Sequence, residues 1–241
     1  MTGVVVVQRY FAKNKIGDKF VLDNGDIHHI SNVMRMKNGE FIEVVYNSIL
    51  YKCKVLFSDG LEVLYDSVLD DKNVSDKYIC LIVPVLKEQK MDYILQKSTE
   101  LGVSEIIPIV TERCVVKVSS KEDKKLIRWN KIVKEASEQS KRLDVPIISS
   151  IRNINDLCFS SGVKLVCSTR ENEKNIKKIL QTEKKCDRMY IVVGPEGGLS
   201  IFEEKKLNEL GFISVSLGNR IMRVETVPLY ILSVLNYEFM E

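Results

Sequence analysis

Two stretches near the C-terminal end of the 241-residue chain combine backbone freedom with charge. The first is Gly194-Pro195-Glu196-Gly197-Gly198-Leu199-Ser200, which follows the apolar run 189–193. Its glycines lack Cβ, so the main chain can take positive φ and bring its N–H and C=O groups close to a ligand. The second follows the apolar run 212–217 and sets Arg220, Arg223 and Glu225 within a few residues of Gly218. Guanidinium groups beside a glycine turn suit the stabilisation of negative charge that develops during a reaction. Glu225 reads in two ways: it orients an arginine through a bidentate pair, or it forms with Arg220 an ion pair that pins the loop. Glu196 reads as a candidate base, though a carboxylate at its ordinary pKa is a weak one. A lone glycine turn is readily explained as a tight strand-to-helix connection. Two in one region, the second carrying arginines, favour a binding site. Neither G-x-x-x-x-G-K-[ST] nor G-x-G-x-x-G occurs, which excludes the common phosphate and dinucleotide loops.

Both loops sit at the C-terminal ends of strand-like runs, where open α/β sheets bind ligands. Ser200 with Glu203 has the spacing of a capping box, so a helix is expected directly after the glycines. Upstream the pattern predicts strand 78–86, helix 88–101 closed by Gly102, strand 105–110, a long helix 120–141, a short strand 147–148, helix 155–159, strand 163–168 and helix 173–181. Strands alternating with helices argue for a parallel sheet covered on both faces, an α/β fold. In the long helix Leu126, Trp129, Val133 and Ala136 recur at helical spacing, which places Trp129 in the core, and Ser119 with Glu122 has capping-box spacing. Its lysines, with Arg113, Lys117, Gln139 and Arg142, read either as an RNA-tracking surface or as a solvated face.

Residues 1–69 differ in kind. Short β-rich runs at 4–7, 19–22, 40–46, 50–57 and 61–65 are punctuated by Asn24-Gly25, Asn38-Gly39, Asn47-Ser48 and Asp59-Gly60, a pattern that suggests a small barrel. One helix is expected over 26–36, with Ile30, Val33 and Met34 on its apolar side. His28 and His29 are the only histidines, and they lack the further ligands that a metal site needs. Arg9, Lys13, Lys15, Arg35 and Lys37 read as phosphate contacts or as ordinary surface charge. The polar segment 67–77 marks the expected linker.

Composition sets outer bounds. With 45% hydrophobic residues and a net charge of +3, the chain reads as an ordinary globular protein; the global charge does not announce a nucleic-acid binder, and any contact to RNA must come from local patches. Six cysteines without a C-x-x-C pair read as reduced, mostly buried thiols of a cytosolic protein. Neither a signal peptide nor a membrane-spanning run is expected.

Gly-Pro-Glu-Gly-Gly followed by Leu-Gly-x-Arg-Ile-Met-Arg-x-Glu-Thr resembles the C-terminal signature of the RsmE family, bacterial SPOUT-class enzymes that use S-adenosylmethionine to methylate N3 of a uridine in 16S ribosomal RNA. The resemblance extends over nearly the whole chain. It takes in His28-His29 with Val33 and Arg35, Gln96-Lys97 with Glu100 to Val103, Thr111 with Arg113, Arg128-Trp129 with Glu135-Ala136, and Gln139-Ser140 with Arg142 and Pro146. It implies a PUA-like β-barrel that holds RNA over 1–70, and a SPOUT domain with a C-terminal trefoil knot over 77–241. It further implies a cytoplasmic homodimer joined through the last helix, 227–239, although the apolar residues of that helix suit packing on the sheet equally well. The donor would be held by Thr169, Gly194, Pro195, Glu196, Gly197, Gly198, Leu199, Leu217, Gly218 and Met222, with its adenine edge bonded to main-chain groups. Arg223, Arg220 and Glu225 would serve catalysis, and Arg9, Arg35, Arg113 and Arg142 would contact RNA of the small ribosomal subunit. No metal, DNA or membrane partner is implied. Met222 stands where members often have leucine, and Val227 where they often have alanine. Two other readings stay open from the residues themselves: the same chemistry on another RNA or atom, and a non-catalytic RNA-binding assembly factor.

Overall fold

The computed structural model describes residues 7–70, 77–114, 122–182 and 186–239. Most of the expected strand at 4–7, the middle of the expected linker, Lys117 and the Ser119 cap lie outside these. The chain divides into two units, Met1–Val74 with Ser137–Val145, and Ser75–Ala136 with Pro146–Glu241.

The first unit contains β1 (Arg9–Phe11), β2 (Asn14–Ile16), β3 (Lys19–Val21), β4 (Phe41–Tyr46), β5 (Ile49–Phe57) and β6 (Leu61–Leu69). They pair in the order β1-β4-β5-β6-β3-β2, with β1 parallel to β4 and every other pair antiparallel. Alternate residues of β4 and β5, among them Ile42, Val44, Cys53 and Val55, point into a core with Tyr10, Phe20 and Ile30. Asn47 and Ser48 both take positive φ, 51° and 60°, the geometry that matches a two-residue turn to the twist of its strands.

The expected helix 26–36 takes a different form: α1 (Asn24–His28) runs directly into a π-helical turn, His29–Val33. Asp23 accepts a hydrogen bond from the Asp26 amide at 2.9 Å, so Asn24-Gly25 opens the helix and does not form a separate turn. The wider π turn takes later residues off the 3.6-residue stripe, which leaves Ile30 buried while Val33 and Met34 are exposed.

A purely linear division of the chain misses that Ser137–Val145 belongs to this first unit. Lys141 Nζ lies 3.0 Å from Glu43 Oε2, Arg9 donates to the carbonyls of Lys141 and Arg142, and Leu143 packs with Val45 and Leu50.

The second unit contains β7 (Tyr78–Pro84), α2 (Glu88–Glu100), β8 (Glu105–Val110), α3 (Glu122–Gln139) up to Ala136, β9 (Ile147–Ile148), β10 (Arg152–Asn153), β11 (Val163–Cys167), α4 (Ile176–Thr182), β12 (Arg188–Val193), α5 (Ile201–Glu209), β13 (Ile213–Val215) and α6 (Thr226–Phe239). The sheet order is β10-β8-β7-β12-β11-β13, with β9 also on β8, and every pairing is parallel. The central strands β7 and β12 are almost continuously apolar and buried, as a sheet covered on both faces requires. Trp129 is buried in α3, in agreement with its place on the apolar stripe. The helix expected over 155–159 shortens to a 3₁₀ turn, Ile154–Asp156, capped by Asn153 and followed by extended Leu157. Phe159 instead packs its ring on Tyr190 and Phe212, at 4.8 and 5.2 Å between centroids. Among the described residues no helix is long and apolar enough to cross a membrane.

Candidate active site

Strands β12, β11 and β13 are neighbours in the sheet, so their C-terminal ends bring three loops together: the glycine loop after β12, the arginine loop after β13, and the segment from Ser168 after β11. Two cavities lie among them. The smaller, about 200 Å³, is bounded by residues 167–169, 171–172 and 216–222. The larger, about 650 Å³, is bounded by the glycine loop, Lys90, Arg113 and Arg223. Cys167, Ser168, Thr169, Ile221, Met222 and Val227 line both. Each residue expected to hold the donor faces one cavity or the other: Leu217 and Gly218 the smaller, Gly194, Pro195, Glu196, Gly197, Gly198 and Leu199 the larger, Thr169 and Met222 both.

The glycines serve distinct purposes. Gly198 and Gly218 adopt φ of +69° and +117°, and a Cβ at either would meet open space. Gly194 is small because of close approach, since a Cβ there would lie 3.1 Å from the Leu199 amide nitrogen. The capping box is present: Ser200 accepts from the Glu203 amide, and Glu203 accepts from the Ser200 amide at 2.8 Å. The second Glu203 oxygen accepts from the Glu112 amide at 2.8 Å, and Arg113 donates to the Gly197 carbonyl at 2.6 Å. Thus the loop after β8 braces the glycine loop.

The charges are arranged differently from the expectation. Among the described residues Glu225 makes no ion pair or hydrogen bond with Arg220 or Arg223. Its Oε2 lies 3.3 Å from Lys90 Nζ, at ion-pair distance but without hydrogen-bond geometry. Lys90, on the first turn of α2, also donates to Glu196 at 2.9 Å. Desolvation by itself would raise the Glu196 pKa, but the Lys90 ammonium and a backbone N–H outweigh it and hold the carboxyl below its usual range. Arg220 and Arg223 are exposed, with no carboxylate partner among the described residues.

Arg170 forms a further tie. It donates to the Leu199 carbonyl at 2.6 Å and pairs with Glu204 at 2.7 Å, while Ser168 donates to the same carboxylate at 3.0 Å. Burial pushes the Cys167 thiol up to about 12, which keeps it protonated beside the cavities. Lys90, Ser168, Arg170 and Glu204 escaped the sequence reading. Ser168 and Arg170 follow a strand C-terminus, so the rule that located the other two loops applies to them as well. Nothing in local spacing marks Lys90.

The four arginines expected to bind RNA fare unequally. Arg113 lines the larger cavity. Arg35 is exposed in the first unit with φ of 52°. Arg9 corrects the expectation: it is only 4% exposed, and its guanidinium is engaged by Glu43 at 2.9 Å and by two carbonyls. Arg142 grips Asp144 in a bidentate pair at 3.1 and 2.7 Å. Both side chains are therefore committed to internal contacts. The histidines stand apart from any cluster, with His29 Nδ1 2.9 Å from the Tyr10 hydroxyl. Among the described residues no group of three or more His, Cys, Asp or Glu side chains is placed to hold a metal ion.

Residues 74–236 match the model of an RNA methyltransferase domain, and residues 22–63 that of an RNA methyltransferase PUA domain. Ribosomal RNA small subunit methyltransferase E of Bacillus subtilis is 34% identical, with 96% of this chain and 97% of the relative covered. A Neisseria gonorrhoeae enzyme of the same name, solved bound to S-adenosylmethionine, is 28% identical with a TM-score of 0.84, covering 96% of this chain and 97% of that one. A Legionella pneumophila protein solved with its cofactor S-adenosylmethionine is 27% identical with a TM-score of 0.87, covering 97% and 98%. With the signature loops assembled at adjacent strand ends, and with likeness over both units, the chain belongs to the ribosomal RNA small subunit methyltransferase E family.

Proposed function

We propose that this protein transfers a methyl group from S-adenosylmethionine to N3 of a uridine in 16S ribosomal RNA. The observation that carries the reading is the meeting of the glycine loop and the arginine loop around one shared wall at the ends of β11, β12 and β13. The residues present fit the donor. Leu199, Leu217, Met222 and Val227 offer apolar surface, and open space lies beside the main chain at Gly198 and Gly218. The close approach at Gly194 keeps the loop free of side-chain bulk. Relatives solved with the same molecule bound support the assignment.

When bound, the donor supplies an electrophilic methyl on a sulfonium, so the protein's work is placement and electrostatics. Uracil N3 must lose its proton, and the resulting charge spreads onto the two flanking carbonyl oxygens. Arg223, free of carboxylate partners among the described residues and at the edge of the larger cavity, stabilises that charge, and Arg220 supports it from the smaller. Glu225 takes no part in the chemistry and orients no arginine; it lies against Lys90. Glu196, whose carboxylate accepts from Lys90 and is held below its usual range, is a weak candidate for the base. Arg113 and Arg35 serve as phosphate contacts.

The finer architecture follows the family. The first unit closes as a PUA-like barrel over 1–70, the domain 77–241 ties its end into a trefoil knot, and the enzyme works in the cytoplasm as a homodimer. Tyr230 and Tyr237, 39% and 83% exposed on α6, support an interface on that helix. The test incubates the protein with labelled donor and small ribosomal subunits and identifies the modified base. Label at uridine N3 is expected, and label at another atom, or none, refutes the assignment. Calorimetric titration of the donor separates an inactive enzyme from a pure binding module.

A further inference from the structure

We propose that Lys90 is a positioning residue for methyl transfer: by drawing Glu225 toward itself, it keeps that carboxylate from capturing Arg223 and leaves the guanidinium free for the substrate. The inference rests on the reading of Arg223 given above.

Lys90 stands on a rigid post. The residues behind it on α2, Met91, Ile94 and Leu95, are fully buried, whereas its two partners lie on the glycine loop and just beyond the arginine loop. Its ammonium is 2.9 Å from Glu196 Oε1 and 3.3 Å from Glu225 Oε2, so a single cation joins the loops that bound the larger cavity. The other cations there are already engaged, Arg113 by the Gly197 carbonyl and Arg170 by the Leu199 carbonyl and Glu204. Only Arg223, among the described residues lining that cavity, remains a guanidinium without a carboxylate or carbonyl partner. It is two positions from Glu225 in the chain, and the Glu225 side chain is 20% exposed, a setting in which an unsatisfied carboxylate attracts a cation within reach. With Lys90 removed, Glu225 is released to take Arg223, the one guanidinium lining that cavity without a partner among the described residues. The two acids are then left with no ammonium between them.

The experiment compares the wild type, Lys90→Met and the double variant Lys90→Met/Glu225→Gln. Single-turnover methylation of small ribosomal subunits, donor titration and thermal unfolding are measured on each. Lys90→Met should slow methylation about tenfold, the equivalent of one charge-assisted hydrogen bond withdrawn from the substrate. Removing the carboxylate as well should restore most of that rate, which a merely structural lysine would not allow. Lys90→Arg, which keeps the cation, should stay closer to the wild type than Lys90→Met. Wild-type rates in Lys90→Met, or a double variant as slow as the single one, overturn the inference while leaving the functional reading intact. A wild type that binds no donor and methylates nothing overturns both.

Discussion

Arg223→Ala separates placement from chemistry at this site. In the structure the guanidinium is exposed and has no carboxylate partner among the described residues, because Glu225 is engaged by Lys90. Truncation therefore breaks no ion pair and strands no buried acid, and stability should change by no more than about 0.5 kcal/mol. The donor's expected surroundings, main chain at Gly194, Gly198 and Gly218 with apolar Leu199 and Leu217, lose nothing, so donor affinity should stay within about twofold. The rate should behave otherwise. Loss of one preorganised group that stabilises developing negative charge costs roughly 2.7–4 kcal/mol, or 10²–10³ in turnover. Arg220 remains three positions away in the same loop, so the loss should fall near the lower figure, about a hundredfold. Calorimetry for the donor, paired with single-turnover methylation of small subunits, reads the two quantities independently. An equal fall in donor affinity and rate would refute the reasoning and make Arg223 a structural residue; an unchanged rate would remove it from the chemistry altogether.

Further expectations follow from the same contacts. Gly194→Ala should weaken donor binding, because a Cβ 3.1 Å from the Leu199 amide must displace the loop, and calorimetry against an intact thermal midpoint checks this. Arg9→Met should destabilise the chain by about 2–4 kcal/mol in denaturant titration by withdrawing a buried guanidinium from two carbonyls, with Glu43 still held by Lys141. If the same variant is stable but loses RNA affinity, Arg9 contacts RNA after all. For pH, the sign is that of a depressed carboxylate: the Glu196–Lys90 pair stabilises the folded loop above the ordinary carboxyl pKa of 4.5 and is lost only as pH falls through its lower folded value. Donor affinity should accordingly show no titration from Glu196 between about pH 8 and about pH 5. A step in that window that disappears in Glu196→Gln would show that Lys90 does not hold the carboxylate.

Much of this protein was legible in one dimension, wherever the cause is local. Apolar runs and period-3.6 patterns placed nearly every strand and helix of the parallel sheet, since each is dictated by which residues must be buried. Ser200 and Glu203 announced the start of α5 by spacing, and the glycines announced the loops. The failures share a different cause. Asp23 turned an expected Asn24-Gly25 turn into a helix start, and a π turn displaced Val33 and Met34, both through hydrogen bonds that no hydrophobic pattern encodes.

Which charges meet could be decided only by the folded chain. Arg9 and Glu43 are 34 positions apart, and Arg9 meets the carbonyl of Arg142 across 133, so its burial leaves no trace in its neighbours. Lys90 reaches Glu196 across 106 positions because the parallel order puts β12 beside β7, the strand that leads into α2. Residue types determine that a cation and a carboxylate attract, and the sheet's strand order determines which pairs come within reach. For that reason the sequence alone pointed Glu225 at an arginine, and the fold gave it to a lysine.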